Sequence, residues 1–163
     1  MRSVFILIII VFPLAGHSQN YIKSSEKCVL EFQTTEGKRL VIARDKQNRY
    51  LVYRFGTNLN IELQYPSKPF QAHKPFHHSF YYRGGGIHND PMNLNYLYFT
   101  IGQYKYVVYE EYAARSQTTR YGIKVINIKT DDTYNIKAKS STVKGSVSSF
   151  RGDRHVRAGD ELF

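Results

Sequence analysis

Leu94-Asn95-Tyr96-Leu97-Tyr98-Phe99-Thr100-Ile101, then Gly102-Gln103, then Tyr104-Lys105-Tyr106-Val107-Val108-Tyr109-Glu110-Glu111-Tyr112, is the stretch that decides the fold. Both runs are rich in aromatic and β-branched residues, and the two residues between them accept tight-turn geometry. A parallel pair needs a crossover of a dozen or more residues, so a two-residue connection makes these strands antiparallel neighbours. The first run carries Leu94, Tyr96 and Tyr98 on one face and Leu97, Phe99 and Ile101 on the other. A strand apolar on both faces is either buried on both sides or has one buried face and one aromatic surface.

The same texture extends in both directions. Further runs are Lys27–Gln33, Arg39–Asp45, Tyr50–Thr57, Asn60–Tyr65, Ser79–Arg83, Arg120–Lys129 and Thr133–Lys139, separated by short Gly-, Asn- and Asp-bearing turns. The fold class is therefore all-β, an antiparallel meander of about nine strands forming a sandwich or a strongly curved partial barrel. In Arg120–Lys129 the apolar parity changes between Val125 and Ile126, which predicts a β-bulge or an exchange of faces. Pro66, Pro69 and Pro75 make the stretch from Pro66 to His78 a surface loop, because proline removes ladder donors.

A chain of 163 residues, 42% hydrophobic and with one Cys, has room for one cored domain. It is neither a disordered polymer nor a disulfide scaffold. Met1 to Ser18 reads as a signal peptide: Arg2, an apolar run from Val4 to Ala15, and small residues at −3 and −1 of a cut after Ser18. The expected division is a signal peptide over 1–18, one all-β domain over 19–140, and a basic, partly disordered tail over 141–163. Leu14-Ala15-Gly16 resembles a lipoprotein signal, but His17 stands where the lipid-bearing Cys belongs. A periplasmic or secreted product is expected, with no transmembrane segment.

Loss of residues 1–18 removes one base and no acid from the formal +10, leaving +9. That charge favours anionic or neutral partners, and export argues against nucleic acid. Glu110 and Glu111 are adjacent on a strand and so point to opposite faces, which excludes them as a paired acid and base. Both are expected to be solvated or paired across strands with Lys or Arg. His73, His77, His78, His88 and Asp90 are the candidate metal ligands, in a segment whose prolines oppose a helix. Arg83-Gly84-Gly85-Gly86 offers an anion nest or an irregular turn. Cys28 reads as a small core residue or an unpaired half-cystine, and Arg151-Gly152-Asp153 as a chance tripeptide. No cofactor is expected.

Eight of the 14 Tyr lie between Tyr81 and Tyr112. Tyr is amphipathic and loses little entropy on contact, so a Tyr-rich face suits recognition; the alternative is that Tyr fills the core of a Trp-less domain. The candidate contact residues are Tyr82, Arg83, His88, Tyr106 and Tyr109, with the proline loop at the rim.

Tyr50-Leu51-Val52-Tyr53-Arg54-Phe55-Gly56, Ile61-Glu62-Leu63-Gln64-Tyr65-Pro66, Tyr82-Arg83-Gly84-Gly85-Gly86, the Leu94–Thr100 run, Tyr104-Lys105-Tyr106 and Gly122-Ile123-Lys124-Val125 resemble, in this order, a group of small exported bacterial proteins of hypothetical function. In general character the chain is also similar to periplasmic inhibitors and immunity proteins, which implies an exported, non-catalytic protein that occludes an envelope-acting toxin or hydrolase. A module for anionic glycan, lipid headgroup or envelope polymer is the alternative, and a metal-assisted hydrolase using the His loop is the third reading.

Overall fold

The structure, a computed structural model, describes residues 20–72, 74–85 and 91–163. The expected signal peptide, His73, His88 and Asp90 lie outside the described residues. Each of the nine expected runs is a strand: β1 (Glu26–Gln33), β2 (Arg39–Asp45), β3 (Leu51–Gly56), β4 (Ile61–Tyr65), β5 (His77–Arg83), β6 (Met92–Ile101), β7 (Tyr104–Ala113), β8 (Thr118–Asn127) and β9 (Thr133–Lys137). Two-residue strands β10 (Lys144–Gly145) and β11 (Arg157–Ala158) complete the described set. The protein is all-β.

Two consecutive meanders make two sheets. One has the order β10-β1-β2-β3-β4 and the other β11-β5-β6-β7-β8-β9, with no closed barrel among the described residues. Every pairing is antiparallel except that of β11 with β5. The β6–β7 hairpin turns at Gly102, whose φ of +58° only glycine adopts freely, followed by a Gln103 of ordinary φ; this is the pattern of a type II′ turn. Period 2 then decides which residues meet. Leu30, Phe32, Leu40, Ile42, Tyr53 and Phe55 of the first sheet face Leu97, Phe99, Val108 and Ile123 of the second. Phe99 is the hub, with its ring stacked on Tyr65 (4.2 Å) and Tyr106 (5.2 Å) and edge-on to Tyr53 (5.0 Å) and Phe76 (5.4 Å).

No bulge interrupts β8, which stays in register with β7 from Thr118 to Asn127. The parity change is an exchange of faces. Ile123 and Val125 enter the core between the sheets, whereas Ile126 packs on the opposite face with Tyr96, Tyr98, Val107 and Tyr109. A register shift does occur in β1, between Cys28 and Leu30.

Composition predicts a loose tail after Ser140, yet this segment stitches the sheets together. β10 extends the first sheet, a 3₁₀ turn at Val147–Phe150 packs into the core, and β11 joins β5. Val147, Phe150 and Val156 are buried in the core. Three well-placed apolar residues anchor a segment that composition averages as polar. Glu110 accepts from the Ser146 hydroxyl (2.6 Å) and the Val147 amide (2.7 Å), so this carboxylate holds the start of the 3₁₀ turn.

Each sheet also carries a strap on its outer face. On the first, Tyr21 packs with Val41, Ala43, Tyr50 and Val52. There Arg54 makes a bidentate bond to Glu26 (2.6 and 2.8 Å) and also donates to the Tyr21 carbonyl (2.7 Å) and Gln64 (2.9 Å). On the second, Phe163 packs with Tyr96 and Tyr98.

Candidate binding surfaces

The distal half of β5 is the most exposed aromatic stretch of the described chain. His78 and Ser79 are buried, but Phe80, Tyr81 and Tyr82 are 52%, 38% and 66% exposed, and Arg83, Gly84 and Gly85 follow as exposed residues. The reason is register. β11 pairs only with His77 and His78, so among the described residues Phe80, Tyr81 and Tyr82 form the sheet edge on that side. Edge strands usually carry inward charges, prolines or bulges that block pairing. This one carries three aromatic rings instead.

Phe80 is held in place. The Arg151 guanidinium lies 4.5 Å from its ring centroid and donates to Asn95 (2.8 Å) and to Asn93. Arg151 is therefore a positioned cation beside an exposed ring, within the range of a cation–π contact. Asp153 is bound by Arg44 and by the His155 backbone amide (2.9 Å), so both charged ends of Arg151-Gly152-Asp153 are engaged within the fold.

A second concavity, about 370 Å³ in volume, opens on the outer face across β7, β8 and β9. Pairing brings Glu111 opposite Arg120, and Tyr109 opposite Gly122 and then Lys137. A Cβ on Gly122 would lie 2.5 Å from the Tyr109 hydroxyl and 2.4 Å from the Ile136 carbonyl, so only glycine lets the Tyr109 ring lie across β8. The Tyr109 hydroxyl bonds Asn135 (3.1 Å). Lys124 sits 5.0 Å over the Tyr109 ring and donates to Glu111 (2.9 Å), while the more exposed Arg120 donates to the other Glu111 oxygen (3.1 Å). Glu111 is thus the cross-strand partner of two cations. Arg120, Lys124 and Lys137 against Glu111 leave the groove net positive.

The sequence-selected contact residues do not form one patch. Tyr82 and Arg83 share the open end of β5 but point to opposite faces. Tyr106 stacks on Phe99 against the core, and Tyr109 is buried beneath the groove on the other face. Tyr therefore serves both alternatives, filling core in β6 and β7 and surface in β5. Arg120, Lys124 and Lys137 were missed; they alternate on β8 and β9, and that period beside Gly122 is the signal that would have found them.

His77 and His78 are adjacent on β5 and point apart, His77 stacking on Tyr98 (5.2 Å) and His78 facing Phe80 and Phe150. Burial, reinforced by the nearby Arg151, pushes the His78 imidazole down to about 4, and its Nε2 has no hydrogen-bond partner among the described residues. Among the described residues no three His, Cys, Asp or Glu side chains gather as a metal site. Cys28 is exposed on β1 and not in the core; partial desolvation of its thiol pushes the pKa up, and Glu31 adds to this, while Arg39 and Lys144 oppose it. A raised pKa lowers the thiolate fraction that nucleophilic chemistry requires.

The described arrangement offers recognition elements: exposed rings, positioned cations and an open strand edge. No helix among the described residues is long and apolar enough to cross a membrane. No protein-family model, curated protein or solved structure matches the chain.

Proposed function

We propose that this chain is an exported, non-catalytic binding protein that engages a protein partner through the distal half of β5, with an envelope-acting toxin or hydrolase as the occluded target. The observation that carries this reading is the run Phe80-Tyr81-Tyr82, exposed on an open sheet edge while most of the other aromatic side chains are packed. Aromatic anchors dominate the energetics of protein interfaces, and an unpaired edge supplies main-chain bonds to an added strand. Arg151 pre-positions the Phe80 ring, which reduces the ordering cost of association. The charge expected for the exported chain, +9, makes an acidic or neutral partner the suitable one.

Capture from envelope extract by residues 19–163, at about 150 mM salt where exposed charges are largely screened, tests the reading. One stoichiometric protein is expected, lost on Phe80→Ser with Tyr82→Ser. Recovery of polymer or lipid alone, released by raised salt, sinks the reading and promotes the anionic-polymer module.

A further inference from the structure

Gly159-Asp160-Glu161-Leu162-Phe163 crosses the outer face of the six-stranded sheet, and its contacts are those of a bound peptide. The Gly159 amide donates to the His78 carbonyl (2.9 Å), continuing the β11 pairing. The Ser79 hydroxyl donates to the Glu161 carbonyl, and the Lys105 ammonium pairs with the Glu161 carboxylate. The Phe163 ring sits edge-on against Tyr96 (5.4 Å) and Tyr98 (5.1 Å), with Lys105 5.4 Å from its centroid. Its carbonyl accepts from the Tyr96 hydroxyl (3.0 Å) and the Lys124 ammonium (2.8 Å). Main-chain, charge and ring recognition are all present, the combination by which sheets capture extended segments.

Lys124 also belongs to the open groove, where the same face continues past Glu111 to Arg120 and Lys137. The surface is therefore one basic, Tyr-floored channel with one half occupied by an acidic segment of its own chain and the other half open. We propose that this channel recognises an acidic extended segment of a partner protein bearing an aromatic anchor, and that residues 159–163 occupy it in cis as a built-in ligand. The partner's segment enters over Arg120 and Lys137 and displaces the strap from Lys124 and Tyr96. This channel is distinct from the β5 edge and does not depend on it.

The test uses the full chain and a labelled synthetic peptide of the sequence of residues 157–163. A tethered strap competes at an effective concentration on the order of millimolar, so the unchanged chain binds the peptide weakly. Glu161→Ala with Phe163→Ala loosens the strap and is expected to tighten peptide binding at least tenfold. Adding Lys124→Ala to that variant is expected to remove the gain. Failure of the loosened chain to bind overturns the proposal, as does equal binding of a peptide whose Phe is replaced by Ala or of polyglutamate, which reduces the channel to a charge patch. Should the loosened variant not fold, amide NMR of the unchanged chain decides: millimolar peptide is expected to shift the signals of Ser79 and residues 159–163. Unmoved signals overturn the proposal.

Discussion

Arg54 is buried on the outer face of the first sheet, and its charge is tolerable only because Glu26, Gln64 and the Tyr21 carbonyl take its donors. Burial raises the Glu26 pKa, but hydrogen bonds from Arg54, the Lys23 amide and Tyr50 outweigh it and hold the carboxyl below its ordinary range. Removing one partner strands the other. Arg54→Met is expected to cost about 3–5 kcal/mol in urea denaturation, and adding Glu26→Leu is expected to recover at least half. His78 sets a pH dependence. Its folded pKa of about 4 lies below the unfolded value of about 6.5, so between these pH values the unfolded chain holds the extra proton. Stability therefore falls as pH drops from 6.5 toward 4, by at most about 1.4 kcal/mol per pH unit from this group. His78→Leu is expected to flatten that slope in denaturation measured at a series of pH values. The pairing of Arg54 with Glu26 was not legible in the sequence, because 28 positions separate them and they lie on β1 and β3, which meet only across β2.

At the scale of elements, alternation of side chains carried most of the information. Leu97 and Phe99 against Tyr96 and Tyr98 announced two apolar faces, and the structure buries the first pair between the sheets and the second under the strap. β10 and β11 could not be read this way, since two residues have no period and their pairing depends on the chain returning across the finished sheets. Gly122 shows how one position shapes an element's neighbour. Gly122→Ala is expected to destabilise by about 1–3 kcal/mol, measured by thermal or urea unfolding, because the added methyl meets the Tyr109 hydroxyl and the Ile136 carbonyl. Tyr82 was selected from the sequence as a contact residue, and the structure leaves it and Tyr81 exposed. Tyr106 and Tyr109 were not distinguishable from them until register placed one on the core and the other beneath the groove.

Across the whole molecule, two local meanders build the sheets and the segment after Ser140 holds them together. Phe99 joins both layers through four aromatic contacts, so Phe99→Ala is expected to cost about 3–5 kcal/mol and to lower the unfolding midpoint without changing the secondary structure seen by circular dichroism. Each outer face carries a strap from one end of the described chain, and among the described residues the distal half of β5 is left open. That asymmetry is the basis for assigning the β5 edge to a partner. Amide hydrogen exchange of the isotope-labelled chain, with and without soluble envelope extract at about 150 mM salt, tests the assignment most directly. The account predicts that extract slows exchange at Phe80, Tyr81 and Tyr82, and that Phe80→Ser with Tyr82→Ser abolishes this protection. Exchange at these residues that is unchanged by extract, or protection that survives the double substitution, would contradict it.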